Sequence, residues 1–265
     1  MAINILHIWD TAGVASILSK YLRICYNVKS DVVNIDTLDP FNITAFYYGR
    51  YYPKRTSTTI KFLVKGLKYK IIHVHSAYRF VKYFRRIYPF KRIVMHFHGE
   101  DVRCTGWDNL KQIIRQSNLI LVSTPDLLEG APDNVVYLPN PVDIDHFKPN
   151  PNLRRERTAL YFLKHQRKED LKWAKEIAKQ YNLELYIHDR KIKPIAYSQL
   201  PLFLNSFEFY IEPSYPHAVS KTALEAMACG LKVVLWNGEI INKLPEENNP
   251  FRVAKKLWSL YQEIL

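Results

Sequence analysis

Glu225 is the residue whose position asks most of its surroundings. It is the one polar residue in the run Ala223-Leu224-Glu225-Ala226-Met227-Ala228-Cys229, which Gly230 then stops. A helix apolar on every face is buried, and a buried carboxylate needs a partner. Lys221, one turn earlier, offers an ion pair in the weaker of the two helical orientations, worth about 0.2–0.5 kcal/mol on a surface. A pair of ligand hydroxyls satisfies such a carboxylate better. The amides opening the same helix, around Ser220 and Lys221, form an anion site strengthened by the helix dipole. Hydroxyls and phosphate one helical turn apart describe the ribose and diphosphate of a nucleotide.

Other chemistry-bearing residues are weaker signals. His73-x-His75 and His96-x-His98 each put two imidazoles on one face of a strand, a spacing that metal sites also use. No acidic cluster accompanies either pair, so no metal is expected, and His73, His75 and His96 read as structural histidines near strand ends. Asp143-Ile144-Asp145 lies in a proline-rich connection and is likewise not expected to hold a metal. None of the eight glycines forms a G-x-G pair, and the P-loop and the G-x-S-x-G elbow are absent. Any phosphate is therefore held without a glycine-rich loop.

Charge is unevenly distributed. The net formal charge is +13, and the whole excess falls between Arg50 and Arg92, where 13 basic residues meet no acidic one. Tyr51, Tyr52, Phe62, Tyr69, Tyr78, Phe80, Tyr83, Phe84, Tyr88 and Phe90 are interleaved with them. Such a field attracts polyanions: an anionic membrane face, a phosphorylated substrate or nucleic acid. Phe and Tyr among Lys and Arg favour the membrane face. No stretch approaches the ~18 apolar residues of a membrane span, and the first residues lack signal-peptide character. With three cysteines in no metal or disulfide pattern, the expected location is cytoplasmic, peripheral at the inner membrane face.

The elements that position these residues alternate along the chain. Strands are predicted at 3–9, 32–35, 71–75, 92–97, 119–123 and 135–138, with helices from Val14 and from Trp107 to Gln116. No element is assigned to residues 45–70. After a break bracketed by Pro139-Asn140-Pro141 and Pro149-Asn150-Pro151, the alternation restarts. Strands 159–163, 183–188, 209–211 and 233–236 then alternate with helices 169–181, 196–205, 222–229 and one from Phe251. The pattern predicts an α/β protein with two parallel-sheet, Rossmann-like domains, 1–148 and 149–265, facing each other across a cleft.

Three segments resemble retaining glycosyltransferases of family 4, which have the GT-B fold. They are Glu212-Pro213-Ser214 with Ala223 to Val234, Tyr137 to Asp143 with Phe147-Lys148-Pro149, and His96 to Val102, with its H-G-x-D pattern. They occur in the family's order across nearly the whole chain. The resemblance implies a short member whose first domain takes the acceptor and whose second takes the nucleotide-sugar. It assigns Glu225 to the donor ribose and His98 to the donor sugar. His217 stands where the family has the first glutamate of its E-x₇-E motif, and Lys232 where proline is common. Donor-binding residues implied are Lys164, Arg167, Lys168, Ser214, Ala218, Val219, Ser220, Lys221 and Glu225, with His98, His217 and Glu225 as catalytic positions. Asp10, Thr11, Ala12, Gly13 and His75 fall on the acceptor side.

The expected activity is retaining, metal-independent transfer of a sugar from a nucleotide diphosphate, with no cofactor beyond that co-substrate. The expected acceptor is lipid-linked, at an anionic membrane surface reached through residues 50–92. Two alternatives accompany this reading. One is a nucleic-acid-binding protein or a glycosyltransferase acting on nucleic acid. The other is an inactive sugar-nucleotide-binding relative.

Overall fold

The computed structural model describes residues 3–163, 168–213 and 215–265. Strands β1 (Asn4–Ile8), β2 (Lys29–Ile35), β3 (Arg50–Tyr52), β4 (Ile71–His75), β5 (Arg92–Phe97), β6 (Leu119–Val122) and β7 (Val135–Tyr137) come first. Between them lie helices α1 (Val14–Tyr26), α2 (Ile43–Phe46), α3 (Thr56–Gly66), α4 (Arg79–Ile87), α5 (Glu100–Thr105) and α6 (Trp107–Gln116). Then follow β8 (Thr158–Phe162), α7 (Lys168–Gln180), β9 (Glu184–His188), α8 (Leu200–Asn205), β10 (Phe209–Ile211) and α9 (Lys221–Ala228). The chain ends through β11 (Lys232–Val234), β12 (Ile240–Ile241) and α10 (Pro250–Glu263).

The first sheet has the order β3-β2-β1-β4-β5-β6-β7, parallel throughout. Its central strands read as continuous apolar runs because both faces are covered. Leu6, Ile8, Ile72, Val74, Ile93 and Met95 pack with Phe62 of α3, Val81 and Phe84 of α4, and Leu110 of α6. On the other face Ile5, Ile71, Val94 and Leu121 meet Val14, Leu18 and Leu22 of α1 and Val253, Leu257 and Tyr261 of α10. The order reverses between β1 and β4, which makes their carboxyl ends the topological switch point, where open sheets bind ligands. The second sheet, β12-β11-β10-β8-β9, is parallel except for β12.

The chain divides into two compact units, one running to Pro141 and including Pro250–Leu265, the other Val142–Asn249. This corrects the expected division at 148/149 with everything after it in the second domain. The cause lies in the last helix, whose apolar positions 253, 257 and 261 form one face matched to the first unit's core. Tyr21 meets Phe251 edge-on with ring centroids 4.9 Å apart, and Tyr26 stacks on Trp258 at 4.6 Å. The expected strand at 233–236 ends at Val234, where the chain turns toward β12. Residues 45–70, without an element in the sequence reading, hold the end of α2, the edge strand β3 and α3.

Candidate functional site

In the second unit, α9 begins at the carboxyl end of β10 after the connection through Glu212. Ser220 is its N-cap, accepting the Ala223 amide proton at 3.2 Å. Gly230 closes it with φ +80°, the left-handed stop that the sequence required. Glu225 is 3% exposed, in keeping with the all-apolar helix around it. Its Oε1 accepts from Lys221 Nζ at 2.6 Å, and both side chains are buried. The Tyr197 hydroxyl lies at 3.5 Å from the same oxygen. The simple ion pair considered from sequence is thus present, while no partner is described for Oε2.

Glu212 alters the expected anion site. Its buried carboxylate accepts the Ser220 amide at 3.2 Å and the Ser220 hydroxyl at 2.9 Å. The Ser220 amide is therefore engaged by a carboxylate, contrary to its expected availability for a diphosphate. Among the described hydrogen bonds none engages the amides of Lys221 and Thr222, which remain the first-turn donors of α9. A further cation sits just beyond β9: the Arg190 guanidinium lies over the Phe162 ring at 5.0 Å and feels the charge of Glu225. Sequence reasoning missed Arg190 and Tyr197. No motif marks them, and only strand order brings their loops to α9.

His217 is exposed and stacks on Trp236, with centroids 5.8 Å apart. His217 and Glu225 thus have separate partners. Ala218 and Val219 are half-buried in the connection to α9. Lys164, Arg167 and Ser214 lie outside the described residues, as does the side chain of Lys168, which opens α7. Asp143 accepts the Asp145 amide at 3.1 Å, a local turn contact.

In the first unit, parallel register places His7 opposite His73 and His75 opposite His96. With His98, five imidazoles line one face near the switch point. His7, His73, His75 and His96 are fully buried, and His98 is half-buried. A hydrogen-bonded row runs from His7 Nδ1 to His75 Nε2 (3.0 Å), His75 Nδ1 to His98 Nε2 (3.0 Å) and His98 Nδ1 to Ser123 Oγ (3.1 Å). His73 Nδ1 meets the Tyr261 hydroxyl at 2.6 Å. Burial holds His7 and His98 down to about 3, and depresses the other three as well. Two overlapping triads, His7/His73/His75 and His75/His96/His98, bring possible metal-ligand atoms within 4.8 Å of one another.

The H-G-x-D pattern has a mechanical explanation. Asp101 accepts the amides of His98 (2.9 Å), Gly99 (2.8 Å) and Val102 (3.0 Å), folding the turn that presents His98. Gly99 has φ +128°, and a Cβ there would meet Arg103. Beside this turn Thr11 Oγ1 donates to Ser76 Oγ at 2.9 Å. Asp10 turns inward, where Oδ2 accepts from Ser16 at 2.5 Å and Thr44 at 3.0 Å, and burial raises its pKa to about 6. Asp10 therefore fastens α1 and α2, with Ala12 and Gly13 in left-handed backbone between them. Thr11 and His75 adjoin the switch-point surface.

No family model matches the sequence, and no curated protein matches it. Solved structures do. Sucrose-phosphate synthase from Thermosynechococcus elongatus is similar at TM-score 0.61 and 13% identity, over 98% of this chain and 99% of that one. HepE from Anabaena, in complex with UDP, is similar at TM-score 0.57 and 13% identity, over 98% and 90%. UDP-GlcNAc 2-epimerase from Neisseria meningitidis, bound to UDP-GlcNAc, is similar at TM-score 0.54 and 12% identity, over 98% and 92%. With its two Rossmann-like units, the chain has the GT-B type of fold.

Proposed function

We propose that this protein is a retaining, hexosyltransferase-type glycosyltransferase that moves a sugar from a nucleotide diphosphate to an acceptor. The observation that carries the reading is Glu225: a buried carboxylate one turn from the first amides of α9, within the ligand-binding end of a GT-B fold. Two of the similar structures contain UDP or a UDP-sugar, which supports a nucleotide-sugar donor. The ribose hydroxyls bond Glu225 Oε2, while Lys221 neutralises Oε1.

Cleavage of the anomeric C–O bond leaves charge on the departing diphosphate. The amides of Lys221 and Thr222, with Lys164, Arg167, Lys168 and Arg190, stabilise that charge without a divalent ion. Glu212 opposes an anion at this end of α9, so the cations carry more of the task than helix amides alone. The resemblance assigns His98 to the sugar, and His217 occupies the place of the family's first glutamate. The acceptor hydroxyl attacks on the face that the diphosphate vacates and gives its proton to the leaving phosphate. The acceptor binds at the switch point of the first unit, and residues 50–92 hold the protein to an anionic membrane face. Among the described residues no helix is long and apolar enough to cross a membrane.

The test is titration of UDP, GDP and their sugars into wild type and Glu225→Gln, followed by transfer assays with and without added Mg²⁺. Loss of charge-assisted hydrogen bonds predicts about tenfold or weaker nucleotide binding in the variant. Equal affinity would remove Glu225 from the site, and no binding, hydrolysis or transfer with any donor would sink the reading. His217 motivates a second outcome. Nucleotide binding without turnover, with activity created by His217→Glu, would identify an inactive relative.

A further inference from the structure

The first unit contains a cavity of about 340 Å³ lined by Trp9, Ser76, Ala77, Tyr78, Arg79 and Phe80. It opens at the carboxyl ends of β1 and β4, the switch point of the sheet. Its wall is continuous with the acceptor side, because Ser76 follows His75 and bonds Thr11. Aromatic rings lead away from it: Trp9 to Phe80 at 6.5 Å, then Phe80 to Tyr83 at 6.1 Å.

Tyr83 belongs to an exposed apolar surface. On α3, Ile60 and Val64, with Leu67 just beyond its end, are 61–64% exposed, while Thr58 and Phe62 take the core side. On and after α4, Tyr83, Ile87 and Phe90 are 48%, 53% and 93% exposed. Ile60, Val64 and Leu67 follow the i, i+4, i+7 spacing of one helical face, and Tyr83 and Ile87 the i, i+4 spacing of another, with Phe90 exposed just beyond the end of α4. The two helices are tied together: Tyr88 donates its hydroxyl proton to Leu63 O at 2.8 Å, and Lys91 Nζ donates to Leu67 O at 2.7 Å. Lys61, Lys68, Arg79, Lys82 and Arg86 are exposed around the stripes. Large apolar side chains framed by cations, in a stretch whose own sequence carries no acid, suit the interface of an anionic bilayer.

We propose that the acceptor is an anionic phospholipid with a free head-group hydroxyl, taken from the bilayer on which α3 and α4 rest. Its hydrocarbon lies against Trp9, Tyr78 and Phe80, its phosphate against Arg79, and its hydroxyl toward the His75 and His98 end of the sheet. This inference rests on the glycosyltransferase reading and specifies the acceptor for it. The transfer breaks the donor's anomeric C–O bond and forms one to the lipid oxygen, and the hydroxyl proton leaves with the diphosphate.

The experiment uses full-length protein and vesicles of phosphatidylglycerol in phosphatidylcholine, without nucleotide. Wild type is expected to co-sediment in a salt-sensitive way, and brominated phosphatidylglycerol chains should quench tryptophan fluorescence. Trp9→Phe should lose the quenched fraction. Arg79→Glu and Phe90→Glu, both exposed positions, should each weaken vesicle binding by about tenfold while leaving UDP binding unchanged. No vesicle binding, equal quenching in Trp9→Phe, or binding to nucleic acid in place of vesicles would overturn the proposal. Nucleotide affinity, measured without lipid, separates that failure from failure of the donor-site reading.

Discussion

The carboxyl ends of the two sheets solve the problem of buried polar groups in opposite ways. In the first unit, five imidazoles crowd together uncharged, and four of them, all but His96, hydrogen-bond to one another, to Ser123 or to Tyr261. Among the described contacts His7 Nε2, His73 Nε2 and both nitrogens of His96 have no partner. In the second unit, Glu225 is matched by Lys221, and Glu212 by the opening of α9. Strand register created the first arrangement, by stacking histidines across β1, β4 and β5. Helical spacing created the second. The lesson is that neutral groups can accumulate in a core at modest individual cost, whereas each buried carboxylate must bring a cation or hydrogen-bond donors of its own.

The largest effect expected from this contrast is acid sensitivity of the first unit. Each imidazole has a folded pKa far below its ordinary value of 6.5. The unfolded chain therefore takes up protons below pH 6.5 that the folded chain refuses, so stability present above that pH is lost as pH falls. Each of the four fully buried histidines removes up to about 1.4 kcal/mol per pH unit. Urea unfolding followed by hydrogen exchange at β4 and β5 should show a loss of several kcal/mol between pH 7 and 5. A flat profile would mean that the imidazoles are not neutral and sealed as described.

Breaking the ion pair of the second unit comes next. Glu225→Ala leaves Lys221 buried and uncompensated, and should cost about 3–5 kcal/mol. Because Glu225→Ala strands its buried partner, Glu225→Gln is the cleaner functional probe. Replacing both residues, Lys221→Met with Glu225→Leu, should recover most of the stability, because no charge is then stranded. If the double variant is as unstable as Glu225→Ala, packing around α9 and not charge pairing dominates.

Asp10 supplies a smaller effect of opposite sign within the first unit. Burial raises its pKa from 3.8 to about 6. The folded state therefore binds this proton more tightly, and stability is gained as pH falls from 6 toward 4, up to about 3 kcal/mol. Asp10→Asn removes that compensation. The variant should lose stability in acid more steeply than wild type over this interval; parallel curves would contradict the buried, raised carboxyl.

The parallel strands and α9 were legible because buried strands and buried helices write their environment directly into sequence. Gly230, Glu225 and the short runs at 71–75 and 92–97 needed no tertiary information. The edge strand β3 and helix α3 were not legible, since Arg50-Tyr51-Tyr52 is half-solvated and α3 carries apolar residues on both faces. The last helix showed its amphipathic spacing but not which core it would join. Among the candidate residues, Glu225 in the second unit and His98 in the first stood out, whereas Arg190 and Tyr197 are brought to α9 by strand order. Glu212 was visible in the matched segment, yet its capture of the Ser220 amide depends on a connection whose path no spacing rule fixes.

Ser220 gives the finest test of how charge is managed at α9. Its hydroxyl accepts the Ala223 amide proton and donates to Glu212. Ser220→Ala loses both contacts and should cost about 1 kcal/mol, the usual value of an N-cap. Ser220→Asp separates the two roles. Aspartate caps helices about as well as serine and favours the positive end of the dipole, so capping alone predicts a near-neutral change. Here the new carboxylate would face Glu212, already buried and now without the hydroxyl donor, so like-charge repulsion should make Ser220→Asp less stable than Ser220→Ala at pH 7. Lowering the pH should narrow the gap, as protonating either acid restores a donor between them. A Ser220→Asp protein as stable as wild type at neutral pH would show that Glu212 does not control the opening of α9, leaving all its first-turn amides available to a diphosphate.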